Sequence, residues 1–280
     1  MTKVMGPKEA VTFVKNQFPF EGYMTYGSED KGAYATVART VTHYLQPGSK
    51  ILDFGCGPCD KTAVVQALGF QCAGYDDLQD DWHRLPGNLD RIRKFAAESG
   101  IDFRLADGGA MPFAANEFDM VMMHDVLEHL HNSPRDLLND LLGFVRPGGL
   151  LFVTVPNAVN IRKRISVLFG RTNLPRFDSF YWYPGAWRGH VREYVRHDLA
   201  KLAEYLGLEV LELRGCDHML EKLPKAVLPA YGLLTRVFPG CKDSWLLVAR
   251  KPANWTPRRA LSRNEFTEIF KNITSYQYRD

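Results

Sequence analysis

The chain has 280 residues, with Lys+Arg 35 against Asp+Glu 32, 45% apolar residues and 24% charged ones. That balance belongs to a globular protein and excludes a collagen-like, disordered or disulfide-stapled chain. A formal net charge of +3 is too small to argue for nucleic-acid binding by itself.

The charge is unevenly placed. Residues 157–196 hold eight Arg and Lys against two Asp and Glu, and 251–280 hold six against three, which leaves an acidic body. A basic, aromatic-rich insert on such a body points to an anionic partner. The five cysteines, Cys56, Cys59, Cys72, Cys216 and Cys241, are odd in number and scattered, as expected in a reducing compartment. The first residues lack the basic-then-apolar pattern of a signal peptide, and no run of about 18 apolar residues is present to span a bilayer. The expected location is the cytoplasm.

Residues 50–54 (KILDF) are a short apolar run before Gly55-Cys56-Gly57, the pattern of a buried strand and a turn. Helical spacing follows over 61–68, with Gly69 as the stop. QCAGY (71–75) reads as the second strand, ending in Asp76-Asp77, and 88–98 as an amphipathic helix. A third strand, 101–105, ends at Asp107-Gly108, and a fourth, 118–123 (FDMVMM), at His124-Asp125. Ser133 and Pro134 suit the cap and first turn of a helix running to about residue 145. A turn at 146–149 (RPGG) then precedes a fifth strand, 150–155 (LLFVTV).

The rhythm breaks over 157–196, where Arg, Phe, Tyr and Trp show no clean period. It resumes with a helix over 197–206 and a strand over 208–213. Residues 216–240, with three prolines, read as a second irregular insert, and 243–249 (DSWLLVA) as a last strand antiparallel to its predecessor. Strands separated by helices of this length predict an α/β fold, a doubly wound and mostly parallel seven-stranded sheet with an antiparallel edge strand and inserted cap segments. The expected divisions are a lid over 1–44, in which Tyr23, Tyr26 and Tyr34 fold over the ligand, and a ligand-binding core over 45–156. A substrate cap over 157–196, the rest of the core over 197–250 and a tail over 251–280 complete them.

In an open α/β sheet, ligands bind beyond the carboxyl ends of the strands. Gly55 and Gly57 there let backbone N–H groups approach a ligand closely. Asp76, about 20 residues on, stands where a carboxylate accepts ribose hydroxyls. A dinucleotide fingerprint would need a third glycine at position 60, where Asp60 stands. These residues alone leave a nicotinamide-dependent oxidoreductase open.

Taken with one another, ILDFGCG, GYDD, LADGGAMPFAANEFDMVMMHDVLEHL and VRPGGLLFVTVPN resemble a class I S-adenosylmethionine-dependent methyltransferase of the ubiquinone-biosynthesis-like (type 11/23) branch. The resemblance covers 45–156 strongly, and 189–213 and 243–250 more loosely. It implies a Rossmann-like fold and S-adenosylmethionine as methyl donor. It also implies that Asp53 and the backbone of Gly55 and Gly57 hold the methionine part, and that Asp76 holds the ribose diol. Asp107 and the Gly108 backbone would meet the adenine edge, and His124 would lie beside the sulfonium. Taken alone, Asp107 also suits a turn before Gly-Gly. Methyl transfer needs alignment of donor and acceptor and exclusion of water, not a protein nucleophile.

Transfer to a hydroxyl or amine needs a proton removed, and His190, in GHVREY, is the expected base. Its rival reading is a histidine that caps the next helix or bonds a carbonyl. If DVLEH were helical, Asp125, Glu128 and His129 would share one face and, with His190, form a divalent-metal site. That arrangement resembles the metal centre of small-RNA 2′-O-methyltransferases and of some ubiquinone O-methyltransferases, although Asp125 replaces the usual Glu. The favoured reading is plainer, with Glu128 and His129 bonding backbone around the turn. Cys56 and Cys59 form a CxxC read as packing, and His83 and His131 are read as surface or loop residues.

Phe177, Phe180, Tyr181, Trp182, Tyr183 and Trp187 are expected to wall a substrate pocket. Arg162, Lys163, Arg164, Arg171, Arg176 and Arg188 are placed to hold phosphate or carboxylate, unless they are a solvated rim. Within the family, YDDLQDDWHRLPGN and GHVREY resemble bacterial sequences of surface-polysaccharide metabolism, which implies a sugar or glycan O-methyltransferase. A quinone precursor, RNA, or a silent role as cofactor binder are the alternatives, RNA resting on the basic insert alone.

Overall fold

A computed structural model describes residues 5–25, 30–172, 174–218, 220 and 223–271. Strands β1 (Lys50–Phe54), β2 (Gln71–Asp76), β3 (Asp102–Leu105), β4 (Phe118–His124) and β5 (Val145–Pro156) pair in parallel. β6 (Glu209–Cys216) is the outer strand on the other side, and β7 (Ser244–Arg250) slots between β5 and β6, antiparallel to both. The order is β3-β2-β1-β4-β5-β7-β6, so the chain reverses its direction of travel between β1 and β4. The expected doubly wound sheet with its antiparallel terminal pair is what forms.

Alternation along the strands explains why both faces are covered. Ile51, Met120, Met122 and Phe152 face one layer, with α1 (Pro7–Gln17), α2 (Ala33–Tyr44) and α3 (Asp60–Ala67) packed on it through Val14, Val41 and Val64. Leu52, Val121, Met123 and Leu151 face the other, beneath α5 (Arg135–Phe144) and α8 (Arg196–Tyr205). A parallel sheet buried on both sides needs such unbroken apolar runs. α4 (Asn88–Glu98) joins the first layer through Phe95 and Ala96.

The segment 1–44, expected as a lid, contributes two helices to the core. Tyr34 is buried, and its hydroxyl donates to Asp60 Oδ2 at 2.6 Å, fastening α2 to the first turn of α3. Tyr23 reaches the cavity described below, whereas Tyr26 lies outside the described residues. In the insert 216–240, where an irregular path was expected, α9 (Leu228–Val237) forms. Pro229 lies in its first turn, where a missing N–H interrupts no helical bond.

The RPGG sequence does not end one element and start another. β5 begins at Val145, which pairs with Phe118, and the pairing then jumps to Met120 with Leu150. The intervening residues bulge outward, with Gly148 N–H on Lys251 O and Lys251 N–H on Gly149 O. The cap holds α6 (Ile161–Leu168) and α7 (Phe177–Tyr181), neither of which buries a residue. Leu168, Phe169 and Trp182 are 83%, 78% and 78% exposed. α10 (Arg263–Phe270) closes the described chain.

A Cβ at Gly149 would lie 2.8 Å from Asp119 O and 2.9 Å from Arg146 O, both backbone atoms. Gly149→Ala should therefore cost about 1–3 kcal/mol, read as a lower urea midpoint at unchanged slope.

Candidate active site

The loops after β1, β2 and β4 meet over a cavity of about 720 Å³, a size that suits a ligand larger than a single sugar. Gly55 opens the first loop with φ +74°, and a Cβ there would strike Val126 Cγ2 at 2.4 Å. The loop can approach the β4 end only because that atom is missing. Asp76 then ties two loops together. Its Oδ2 accepts the Gly57 N–H at 2.8 Å and its Oδ1 the Leu78 N–H at 2.7 Å. Burial raises its pKa, and these backbone bonds oppose the rise without cancelling it.

Gly55, Gly57, Asp76 and His124 all line the cavity. Asp53, Asp107 and Gly108 are not among its lining residues. The Asp53 carboxylate is buried and accepts from Thr62 Oγ1 at 2.6 Å, so it braces the loop from behind. Asp107 is exposed and its Oδ1 accepts the Gly109 N–H at 2.9 Å, the turn its sequence setting suggests. Its neighbour Ala106 does line the cavity.

His124 is buried at the end of β4. Its Nδ1 lies 2.9 Å from Thr154 Oγ1, and its Nε2 has no partner. Burial, aided by the nearby Lys61 ammonium, holds its pKa well below the usual histidine value, so the imidazole is neutral. Lys61 pairs with Asp125 at 3.2 Å. Burial works against the Lys61 charge, but Asp125 and Asp60 outweigh it, and the pKa ends above the ordinary value. Asp125 takes φ +60°, a left-handed conformation uncommon outside glycine.

DVLEH is not one face of an α-helix. Only Leu127–His129 form a single 3-10 turn, and Asp125 is turned away to Lys61. Glu128, His129 and His190 nevertheless converge, each offering one ligand atom within 4.8 Å of the others. The Glu128 carboxylate is fully buried and neither oxygen has a hydrogen-bond partner. Its Oε1 lies 3.9 Å from His190 Nε2 and 4.0 Å from His129 Nε2. Burial, with Asp125 adding to it, pushes the Glu128 carboxyl well above the ordinary carboxylate range.

The plainer expectation for this turn holds for His129, whose Nδ1 lies 2.7 Å from the Arg188 carbonyl. For the Glu128 carboxylate the backbone contact is its own N–H, which opposes the rise in its pKa without reaching hydrogen-bond geometry. His190 does not cap α8. Its Nδ1 meets Glu193 Oε1 at 2.9 Å.

Two histidines read as surface or loop residues do sit in loops, with His131 exposed, and both line the cavity. His83 is buried beside Gly57, lines the cavity, and keeps an unpartnered Nδ1. His131 Nε2 lies 2.6 Å from the Trp187 carbonyl. Trp187 and Arg188 thereby strap the cavity mouth, with Arg188 also reaching Asp80 at 3.0 Å and Asp77 at 3.3 Å. No local sequence signal marks either histidine, since both act across loops. Cys56 and Cys59 do pack as expected. Their sulfurs, 3.7 Å apart, are buried against Gly74.

Residues 27–213 match a family model described as a methyltransferase domain. The chain belongs to this methyltransferase family, in its class I, S-adenosylmethionine-dependent, type 11/23 branch. The ubiquinone biosynthesis O-methyltransferase of Dinoroseobacter shibae is 28% identical over 170 residues, covering 60% of this chain and 63% of that protein. Methyltransferase GfsG of Streptomyces halstedii is 26% identical over 193 residues, covering 68% and 63%. The match thus spans less than two thirds of these relatives' length. A SAM-dependent methyltransferase structure from Methanosarcina mazei superposes with a TM-score of 0.53 at 14% identity, covering 76% of this chain and 97% of that one. One from Mesorhizobium loti gives 0.52 at 18%, covering 76% and 96%. At such identities the superpositions establish the methyltransferase fold.

Burial raises the Asp53 pKa from 3.8 to about 7, with the Thr62 bond opposing it. The native state thus keeps a proton that the unfolded chain releases near pH 4, and stability is lost as pH rises from about 4 through about 7. Asp53→Asn, neutral throughout, should remove that slope. Thermal midpoints at pH 5 and pH 8 should differ less in the variant than in the wild type.

Proposed function

We propose that this chain is an S-adenosylmethionine-dependent O-methyltransferase that acts on a hydroxyl of a small polyhydroxylated molecule, with a divalent cation held by Glu128, His129 and His190. The observation that carries it is the buried Glu128 carboxylate, unpartnered and faced by two imidazole nitrogens. A buried carboxyl without a partner leaves its hydrogen-bonding capacity unused, and a cation is the natural completion of a site with one carboxyl and two imidazoles.

The residues around the cavity fit the methyl donor. Asp76 offers a carboxylate at its wall, the Gly55–Gly57 loop gives close backbone approach, and neutral His124 adds no positive charge beside a sulfonium. When bound, S-adenosylmethionine supplies an electrophilic methyl group. The chain's own task is to align donor and acceptor and to exclude water, which the Trp187-Arg188 strap serves. A divalent cation on Glu128, His129 and His190 would lower the pKa of an acceptor hydroxyl. In this reading His190 acts through Nε2 as a ligand, in place of the free base expected from its sequence setting.

We favour a sugar or glycan hydroxyl as acceptor, on the polysaccharide-type resemblance of YDDLQDDWHRLPGN and GHVREY. The catechol of a quinone precursor is the second reading, favoured by the names of the relatives. Both acceptors place two oxygens side by side, as chelation requires. RNA is disfavoured because much of the cap's positive charge is spent internally: Lys163 on Glu193, Arg176 on Asp178, Arg188 on Asp77 and Asp80, and Arg192 on Asp198. We place the protein in the cytoplasm, where its five unpaired thiols are stable. Among the described residues no helix is long and apolar enough to cross a membrane.

The test is S-adenosylhomocysteine release over a panel of nucleotide sugars, glycans and catechols, with and without chelator. Glu128→Gln should abolish Co²⁺ binding and lower turnover by about two orders of magnitude or more, while S-adenosylhomocysteine still binds. Full turnover after chelation would remove the cation from the mechanism. Asp76→Ala should weaken S-adenosylhomocysteine binding about 10- to 100-fold by calorimetry, the worth of a charge-assisted hydrogen bond. Unchanged affinity would displace Asp76 from the donor site.

A further inference from the structure

We propose that Glu193 and Lys163 are positioning residues that orient His190 toward Glu128, an inference that rests on the cation reading above. Glu193 is the acid of the GHVREY stretch. One of its oxygens, Oε1, accepts from His190 Nδ1 at 2.9 Å, and Oε2 receives the Lys163 ammonium. An Nδ1–H committed to a carboxylate leaves the lone pair on Nε2, the nitrogen that faces Glu128. Carboxylate-bound imidazoles of this kind are better cation ligands, because the ring is fixed in angle and tautomer.

The charges are costly where they stand. The Lys163 and Glu193 side chains are only 12% and 14% exposed. A pair that far from water adds little net stability over apolar packing, so stability alone does not account for it. What the pair does add is a fixed position for the Glu193 carboxylate. With a single donor it would be free to follow His190; held between an ammonium and an imidazole, it imposes a direction on the ring.

Lys163 is itself anchored, through Asn160 and Asn157, to the segment that leads into β7. Its N–H donates to Asn160 Oδ1 at 3.1 Å, and Asn160 Nδ2 donates to Asn157 O at 3.2 Å. The fully buried Asn157 spans to Gly240 O at 2.9 Å and Lys242 O at 2.8 Å. From the other side, Val191 N–H reaches Glu128 O at 2.6 Å and Ala158 N–H reaches Tyr194 O at 3.1 Å. Three segments thus meet at one point. Residues 127–129 bring Glu128 and His129, 190–194 bring His190 and Glu193, and 157–163 bring the lysine that sets the angle between them.

The experiment is Co²⁺ titration of the full chain, followed by visible absorption and calorimetry, with S-adenosylhomocysteine affinity measured alongside. Glu193→Gln should weaken Co²⁺ binding about 10- to 100-fold and alter its absorption, leaving S-adenosylhomocysteine affinity unchanged. Lys163→Met should cause a smaller loss, and Lys163→Arg should restore binding. If Glu193→Gln does not fold, Glu193→Asp keeps the charge but shortens the reach, and it carries the same expectation of weaker binding. Variants that lose thermal stability yet bind Co²⁺ as the wild type does would reduce the pair to a structural salt bridge and overturn the inference. Absence of Co²⁺ binding in the wild type would sink the cation reading itself, and this inference with it.

Discussion

Coverage of the sheet on both faces is the constraint from which the site follows. With helices packed on either side, the central strands β1, β4 and β5 are buried between the two layers. Reversal of strand order between β1 and β4 then parts the loops at one end of the strands and opens a crevice there. Apart from Tyr23, which comes from the segment before β1, and Asp60 and Lys61 at the start of α3, the polar groups that line the cavity reach it from a strand end or from the chain that follows one. The cavity is therefore a product of the topology, and its chemistry a product of which residues occupy those few positions.

In the crevice and just behind it, two kinds of polar burial coexist. Asp76 is satisfied, with two backbone donors on its carboxylate, and it holds the loops in register. Glu128 is unsatisfied, as are His124 Nε2 and His83 Nδ1. Satisfied groups shape a scaffold, whereas unsatisfied ones represent free energy that binding can recover. Asp76, His83 and His124 share the cavity wall, so the wall that gives it form also gives it affinity.

Much of this was legible in the sequence, and the reasons differ by residue. β1 and α4 have the bounds their apolar periods predict, because period and burial agree there. α9 was hidden because prolines usually break helices, yet Pro229 stands in the first turn, where it breaks nothing. Gly55, Gly57, Asp76 and His124 were visible because their places at strand ends are set by chain spacing. Asp53 was expected at the ligand, but it lies within β1 with its carboxylate on Thr62 and is not among the lining residues, since spacing does not say which way a carboxylate turns. His83, His131 and Asp80 were invisible because their partners come from distant loops. The metal-type cluster was read with Asp125 as a member, on the assumption of an α-helix. The chain instead makes a left-handed step at Asp125 and a tighter turn, which sends that carboxylate to Lys61 and brings its neighbours to His190.

The cap leaves and rejoins the body at a single doorway. Asn157 and Tyr194 lie side by side in a parallel bridge, so the thirty-odd residues between them form a closed excursion whose ends already touch. Lengthening or shortening such an excursion costs little closure entropy, because the gap to be spanned is fixed and small. Chemistry and choice of acceptor are thereby separable in inheritance: the outer part of the excursion can be exchanged while the doorway stays. Lys163, His190 and Glu193 stand just inside that doorway, close enough to the hinge posts to survive a change of everything beyond them.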